Sequence, residues 1–216
     1  MRKYIFDYFL ENSSAPVLEQ IMLKFKLDRA ATLKSLADIE SAHHIILVPG
    51  TQRILMAWPF SSIATPFRVR LDKDKTEYFA NCAWDAVAFH VMLQKEQSIS
   101  SYCHHCAEEI DIRLREQKRI SPSNPLVYLA LPAAKWWENI LSTCSNNMVF
   151  FSSTDHLNDW NKSNHGSGQA LTIEQTLKLS VPFYREKMNI DYTRPSREET
   201  IALFQSLNLI GDFWKI

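Results

Sequence analysis

Residues 81–89 read Asn-Cys-Ala-Trp-Asp-Ala-Val-Ala-Phe, "NCAWDAVAF", and this stretch decides how the chain around it is read. Ala83, Ala86, Val87, Ala88 and Phe89 form an apolar run that continues to Leu93, so a buried helix is expected from about Cys82 to Leu93. Asp85 is the exception within it. A carboxylate among apolar neighbours costs free energy unless it finds a hydrogen-bond partner or performs a task. Positions i and i+3 share a helix face, so Cys82 and Asp85 point the same way. If Cys82 lies in the first turn, the helix dipole favours its thiolate, which is the reactive and metal-binding form. Two readings stay open on these residues alone. Either Cys82 is a small core side chain and Asp85 ties down a loop, or the thiol and the carboxyl act together.

Working outward, Phe67–Leu71 alternates like a strand, a polar turn is expected at Asp72–Lys75, and Tyr78-Phe79 begins a second strand. Ser98–Tyr102 and Ile110–Leu114 are further strands, flanking "SYCHHCAEE". Val127–Leu131 is another strand, with a helix expected over Lys135–Leu141, and Met148–Phe151 a short buried strand. Ser153 suits a helix cap, Gly166-Ser-Gly168 marks a loop, and Thr172–Tyr184 a helix. Ser196-Arg-Glu-Glu199 is a capping box opening a terminal amphipathic helix.

Upstream, Tyr4, Ile5, Tyr8 and Phe9 recur at helical spacing. Ser14 can cap a second helix carrying Val17, Leu18, Ile21, Met22 and Phe25, and a third begins near Asp28. "HIILVPGTQRILMAW" then reads as two strands around a Pro49-Gly50 turn. Three helices and a hairpin match the order of a winged helix. A DNA-reading third helix is expected to be basic, yet this one sets Asp28, Asp38 and Glu40 against Arg29 and Lys34. Nucleic acid is therefore not an expected partner, and the unit reads as scaffolding or a cover over the next domain. The expected class is α+β. A winged-helix-like unit over 1–58 precedes a mixed domain over 59–190 with a mainly antiparallel sheet, and an amphipathic extension spans 191–216.

Composition narrows the functional classes. The chain of 216 residues is 46% hydrophobic, 22% charged, and carries 24 basic against 24 acidic residues. No global field draws it to nucleic acid or an anionic membrane. No apolar stretch approaches the ~20 residues of a membrane span. The amphipathic start is broken by Asp7 and Glu11, which argues against a signal peptide. Four cysteines are too few for a disulfide scaffold, so reduced thiols in a cytoplasm are expected.

Cys144 stands far along the chain in "LSTCSNNMVFF", where a polar loop is expected to enter a buried strand; loops of this kind often carry site residues, although a structural cysteine is the plainer reading. Cys103-His-His-Cys106 is half of a zinc site, with no second pair at ligand spacing after it. A thioredoxin-like pair needs a following helix, whereas Ile110–Leu114 reads as strand. A structural turn or incomplete metal clip stands beside a soft-metal or redox role.

Taken together, Cys82-x-x-Asp85, the distant Cys144 before "NNMVFF", and the approach Thr65-Pro66-Phe67-Arg-Val69 resemble the organomercurial (alkylmercury) lyase family. "SSTDHLNDW", the His165-Gly-Ser-Gly loop and the next helix continue the likeness, which covers roughly Trp58 to Tyr184, and the N-terminal unit suits the degenerate winged helix such lyases carry. The resemblance implies that Cys82 and Cys144 bind mercury, and that Asp85 delivers a proton to the carbon–mercury bond. Its products would be a hydrocarbon and bound Hg(II). It further implies substrate contacts at Trp84 and Phe89, no organic cofactor, external thiols as product acceptors, and a mercuric reductase as a candidate partner in mercury detoxification. Three features depart from the family: the pair Cys103 and Cys106, a further candidate for metal binding; the tail from Asp191 to Ile216; and the bulk of Trp84, which narrows the pocket or offers it an aromatic face. They keep open a thiol-based metal-binding or metal-responsive protein, a zinc-clipped interaction protein built on Cys103 and Cys106, and an enzyme acting on another organometallic compound.

Overall fold

A computed structural model describes residues 1–71 and 76–216; the turn expected at Asp72–Lys75 lies outside the described residues. The architecture is α+β with antiparallel sheets, as the sequence predicts. Three helices open the chain: α1 (Arg2–Asn12), α2 (Leu18–Phe25) and α3 (Arg29–Ser41). Asp28 caps α3, accepting from the Ala31 amide at 2.8 Å. Ser14 does not cap α2. Pro16 disfavours helical backbone at the residue before it, so the helix starts later, with Val17 as cap and the Gln20 side chain accepting from its amide at 2.9 Å.

The hairpin β1 (Ile46–Leu47) and β2 (Ile54–Ala57) turns through Gly50, whose φ of 72° suits glycine. Strand β2 pairs with β3 (Phe60–Ser61), so the hairpin is also the edge of a larger sheet. That sheet has eight strands in the order β1-β2-β3-β5-β4-β6-β7-β8, with β4 Arg68–Leu71, β5 Glu77–Ala80, β6 Gln97–Tyr102, β7 Glu109–Arg115 and β8 Lys118–Arg119. Strand β7 shows the two-residue period plainly. Ile110, Ile112 and Leu114 are buried, and the charged residues between them are exposed.

Helix α4 (Ala83–Leu93) is buried on nearly every side, down to its last residue but one. It packs against α7, β5 and a second sheet. Each fully buried Val, Phe or Met on it contributes about 1.5–3 kcal/mol. Phe89 stacks edge-on to Phe60 at 4.9 Å, and Phe60 in turn meets Phe6 and Phe9 of α1. The core is continuous from Phe9 through Phe89 to Phe204.

The second sheet has the order β10-β9-β11, with β9 Leu126–Leu129, β10 Met148–Phe151 and β11 Gln169–Thr172. Strand β11 is not foreseen by its short, mostly exposed sequence. A Cβ on Gly168 would come within 2.2 Å of the Leu129 carbonyl, so only glycine lets β11 approach β9 there. The helix expected over Lys135–Leu141 is a short 3₁₀ turn, Ala133–Lys135. Then Asn139 restarts the chain by capping α5 (Ile140–Asn147), accepting from the Ser142 amide at 3.1 Å. Helices α6 (Thr154–Asn164), α7 (Ile173–Tyr184) and α8 (Arg197–Ser206) follow, the last opened by the Ser196–Glu199 capping box. At the start of the tail, the Arg2 guanidinium donates to the carbonyls of Lys187, Asn189 and Ile190. Among the described residues no helix is long and apolar enough to cross a membrane.

Candidate active site

Strand β5 delivers the chain to Cys82, which caps α4: its sulfur accepts from the Asp85 amide at 3.3 Å. Asp85 sits in the first turn, and the Cys82 thiol donates to its Oδ2 at 3.2 Å. The other sulfur comes from α5. Cys144 lies within that helix and not in the loop expected from its Ser- and Asn-rich surroundings, because the Asn139 cap nucleates helix there. Helix α5 runs directly into β10, which packs beside α4. The ligand atoms of Cys82, Asp85 and Cys144 lie within 4.8 Å of one another, and all three residues are buried.

Two residues that sequence reading did not single out complete this cluster. Tyr184, the last residue of α7, donates its hydroxyl to Asp85 Oδ1 at 2.6 Å. The buried Lys187 places its ammonium 4.6 Å from the centre of the Tyr184 ring. Neither carries a sequence signal beyond a helix end and a lysine in a tail. Burial pushes Asp85 up to about 6, although the bonds from Tyr184 and Cys82 and the charge of Lys187 pull the other way. Burial also pulls Lys187 down to about 7, against the attraction of Asp85. The Cys82 thiol is raised well above its ordinary value by burial, and further by its neighbours Cys144 and Asp85. The group therefore holds its protons close to neutral pH, with the carboxyl and the ammonium poised on either side of it.

A cavity of about 590 Å³ opens onto both sulfurs and Asp85. Trp58, Trp84, Trp136 and Trp137 supply much of its wall; Lys187 reaches it from just past α7, and Arg194 and Phe204 from the tail. The Trp84 indole donates to Ser180 Oγ at 2.9 Å, which fixes the ring against the cavity. His44, also in the wall, is pulled down to about 4 by burial and by the nearby Lys187, Arg2 and Arg194. Phe89 does not face the cavity. One turn beyond Asp85 it points into the core against Phe60 and Tyr78, so an expected substrate contact is a packing residue here. Cys103 and Cys106 form a separate group with Glu108 and His156.

The alkylmercury lyase (MerB) family model matches residues 60–185, more than half of the chain. The chain belongs to the alkylmercury lyase family. The match runs from β3 to the end of α7 and so includes Cys82, Asp85, Cys144 and Tyr184, while Lys187 and the tail lie just beyond it. Similar relatives are alkylmercury lyases of Staphylococcus epidermidis, 24% identical over 58% of this chain and 56% of its own, and of Bacillus cereus, 28% identical over 54% of this chain and 52% of its own. The chain thus spans about half the length of the curated lyases it matches. Among solved structures, the mercury-bound form of MerB2 aligns with a TM-score of 0.67 at 18% identity, covering 87% of this chain and 91% of that one. That likeness places the fold of this family member.

Proposed function

We propose that this chain is an organomercurial lyase that breaks carbon–mercury bonds by protonolysis. The observation that carries the reading is the convergence of two buried sulfurs and a carboxyl within 4.8 Å at the end of an apolar cavity. Mercury in R–Hg⁺ is soft, and thiolates are its preferred ligands. One thiol exchanges with a small thiol on the incoming metal, giving Cys–S–Hg–R and releasing that small thiol with the proton. The second thiol passes its proton to Asp85 and binds mercury as a thiolate, producing an anionic adduct with two sulfurs. Both sulfurs push electron density onto the metal and make its carbon more basic. Asp85 then protonates that carbon. R–H leaves, Hg(II) remains on Cys82 and Cys144 with no net charge, and Asp85 returns to carboxylate.

The bond between the Cys82 thiol and Asp85 Oδ2 supports this relay, because the proton already lies on the path from sulfur to carboxyl. A carboxyl poised at about 6 both accepts and surrenders a proton near neutral pH. Lys187 offsets the charge of the anionic adduct, and Tyr184 holds the carboxyl in line. Trp84 offers its face to the organic group. His44 and Trp58 give the N-terminal unit the role of a wall over the cavity. Two external thiols would lift Hg(II) away, and a mercuric reductase could then receive it; a reducing cytoplasm would keep Cys82 and Cys144 as free thiols for this cycle. The test is to incubate the reduced protein with an arylmercury or alkylmercury salt and excess small thiol, and to measure released hydrocarbon beside Asp85→Ala. Hydrocarbon from the wild type that vanishes in the variant is the expected result. Tight mercury binding with no hydrocarbon would refute protonolysis and make the chain a sequestering or sensing protein.

A further inference from the structure

Outside the cavity, four side chains that bind metals meet at a second point. The sulfurs of Cys103 and Cys106, a carboxylate oxygen of Glu108 and a ring nitrogen of His156 all lie within 4.8 Å of one another. We infer that these four residues form a structural zinc site. Three elements build it: the turn between β6 and β7, the end of β10, and the first turn of α6. The turn is tied to β10 by the His104 amide, which donates to the Phe150 carbonyl at 2.9 Å. It closes on itself through the Ala107 amide to the Cys103 carbonyl at 2.8 Å, and the Cys103 amide to the Glu108 carbonyl at 2.9 Å. On the facing side, the Ser153 cap accepts from the His156 amide at 3.1 Å and so presents the imidazole.

The three separations from the imidazole nitrogen match the edges of a tetrahedron. Bond lengths of about 2.3 Å to sulfur, ~2.05 Å to imidazole and ~2.1 Å to carboxylate set sulfur–nitrogen edges of about 3.6 Å and a nitrogen–oxygen edge of roughly 3.4 Å. His156 Nδ1 lies 3.6 Å from Cys103 Sγ, 3.5 Å from Cys106 Sγ and 3.5 Å from Glu108 Oε1. One ring nitrogen makes one hydrogen bond, and the Ser152 hydroxyl 2.8 Å away, which zinc on that nitrogen would turn aside, is a fourth group crowded around it. Hydrogen bonding therefore does not account for two sulfurs and a carboxylate around the same atom, whereas a cation does. The Ser152 amide also donates to Cys103 Sγ at 3.5 Å, an outer-shell bond that steadies a metal-bound thiolate. Two sulfurs with an imidazole select zinc over magnesium or calcium. With four protein ligands the site has no open position, as a structural centre requires.

The location gives the centre a task. Cys144 stands in α5, which runs directly into one end of β10, and Ser152 follows the other end. At ~3.3 Å per residue the strand between them is itself roughly 13 Å long. Zinc would fasten the far end of the strand on which Cys144 depends, at a distance from the mercury-binding thiols.

The test uses the full chain, reduced, equilibrated with zinc and passed through a desalting column. The wild type is expected to retain about one zinc per chain, and Cys106→Ser or His156→Ala a tenth or less. Cys144→Ser is expected to retain the metal. Cobalt in place of zinc would show tetrahedral bands with sulfur-to-metal charge transfer, and these would be lost in Cys106→Ser. Cys106 is exposed, so serine there does not threaten folding, and equal far-UV spectra would establish that. A wild type that binds neither zinc nor cobalt overturns the inference. So does zinc that survives both substitutions and disappears with Cys144→Ser.

Discussion

Replacing Asp85 by asparagine removes the proposed proton donor and, by the same change, removes a buried charge. The carboxyl moves from 3.8 to about 6 on folding, because burial disfavours the anion. Its contribution to stability is fully present below 3.8 and is lost as pH rises through about 6. Above both values the ionised group costs the fold about 3 kcal/mol. Asparagine escapes that cost, but its NH₂ faces a donor, either the Cys82 thiol or the Tyr184 hydroxyl, at a penalty of roughly 1 kcal/mol. Lys187 sets the choice of pH. It falls from 10.5 to about 7, so at pH 8 it is largely neutral and loss of Asp85 strands no cation. Urea unfolding at pH 8 under reducing conditions, followed by tryptophan fluorescence, should find Asp85→Asn more stable than the wild type by about 2 kcal/mol. The advantage shrinks as pH falls through about 6. By pH 5.5 the folded wild-type carboxyl is itself largely protonated, and below 3.8 the unfolded one is too, so only the mispaired NH₂ of asparagine remains there and the order reverses by roughly 1 kcal/mol. Hydrocarbon release is absent throughout. A variant less stable than the wild type at pH 8, or an offset equal at pH 8 and below 3.8, would refute this account of the site.

Tyr184→Phe removes the 2.6 Å bond to Asp85 Oδ1; the carboxyl should climb above 6, which a pH profile of kcat/KM would show as an acid limb displaced to higher pH. In a chain that also carries Cys103→Ser and Cys106→Ser, Cys144→Ser should still take up one equivalent of an arylmercury salt at Cys82, by mass spectrometry of the intact protein, yet release no hydrocarbon. Lys187→Met should make the fold more stable than the wild type at pH 8, because it escapes the cost of holding a lysine at about 7, and slow hydrocarbon release about tenfold or more, since nothing offsets the anionic adduct. Phe204→Ala opens a void against Trp136, Phe183 and Trp214 and should cost about 3–5 kcal/mol, read by urea unfolding.

Much of the fold is legible because its elements obey one period each. The alternation of β7 and the mostly apolar run of α4 leave little choice, and the box at Ser196–Glu199 announces α8. Helix α5 is not legible, because Ser, Thr, Cys and Asn are poor helix formers and only the Asn139 cap and its packing on β10 hold it. Asp85 can be picked out because a polar group in an apolar run stands out, and Cys82 by its spacing from it; Cys144, among Ser and Asn, is joined to them by the family resemblance. Tyr184 and Lys187 cannot, since one ends an amphipathic helix and the other comes after it among ordinary charges. The partners of Cys103 and Cys106 escape for a different reason. Metal ligands are found in a sequence by spacing, and His156 reaches the pair only because β10 carries α6 back across the β6–β7 turn. Phe89 misleads in the opposite direction: nearness to Asp85 along the helix suggests a substrate contact, yet its ring lies inside the core.

The grip of Arg2 on the tail has a further consequence. Its guanidinium holds the backbone carbonyls of Lys187 itself and of Asn189 and Ile190 just after it. Helix α1 thereby fixes how far an ammonium stands from a carboxyl with which it shares neither a strand nor a helix. A neutral side chain at position 2 would leave both sulfurs in place and still detune the acid between them, so a lesion in the first turn of the protein would register as a change in proton affinity at its centre.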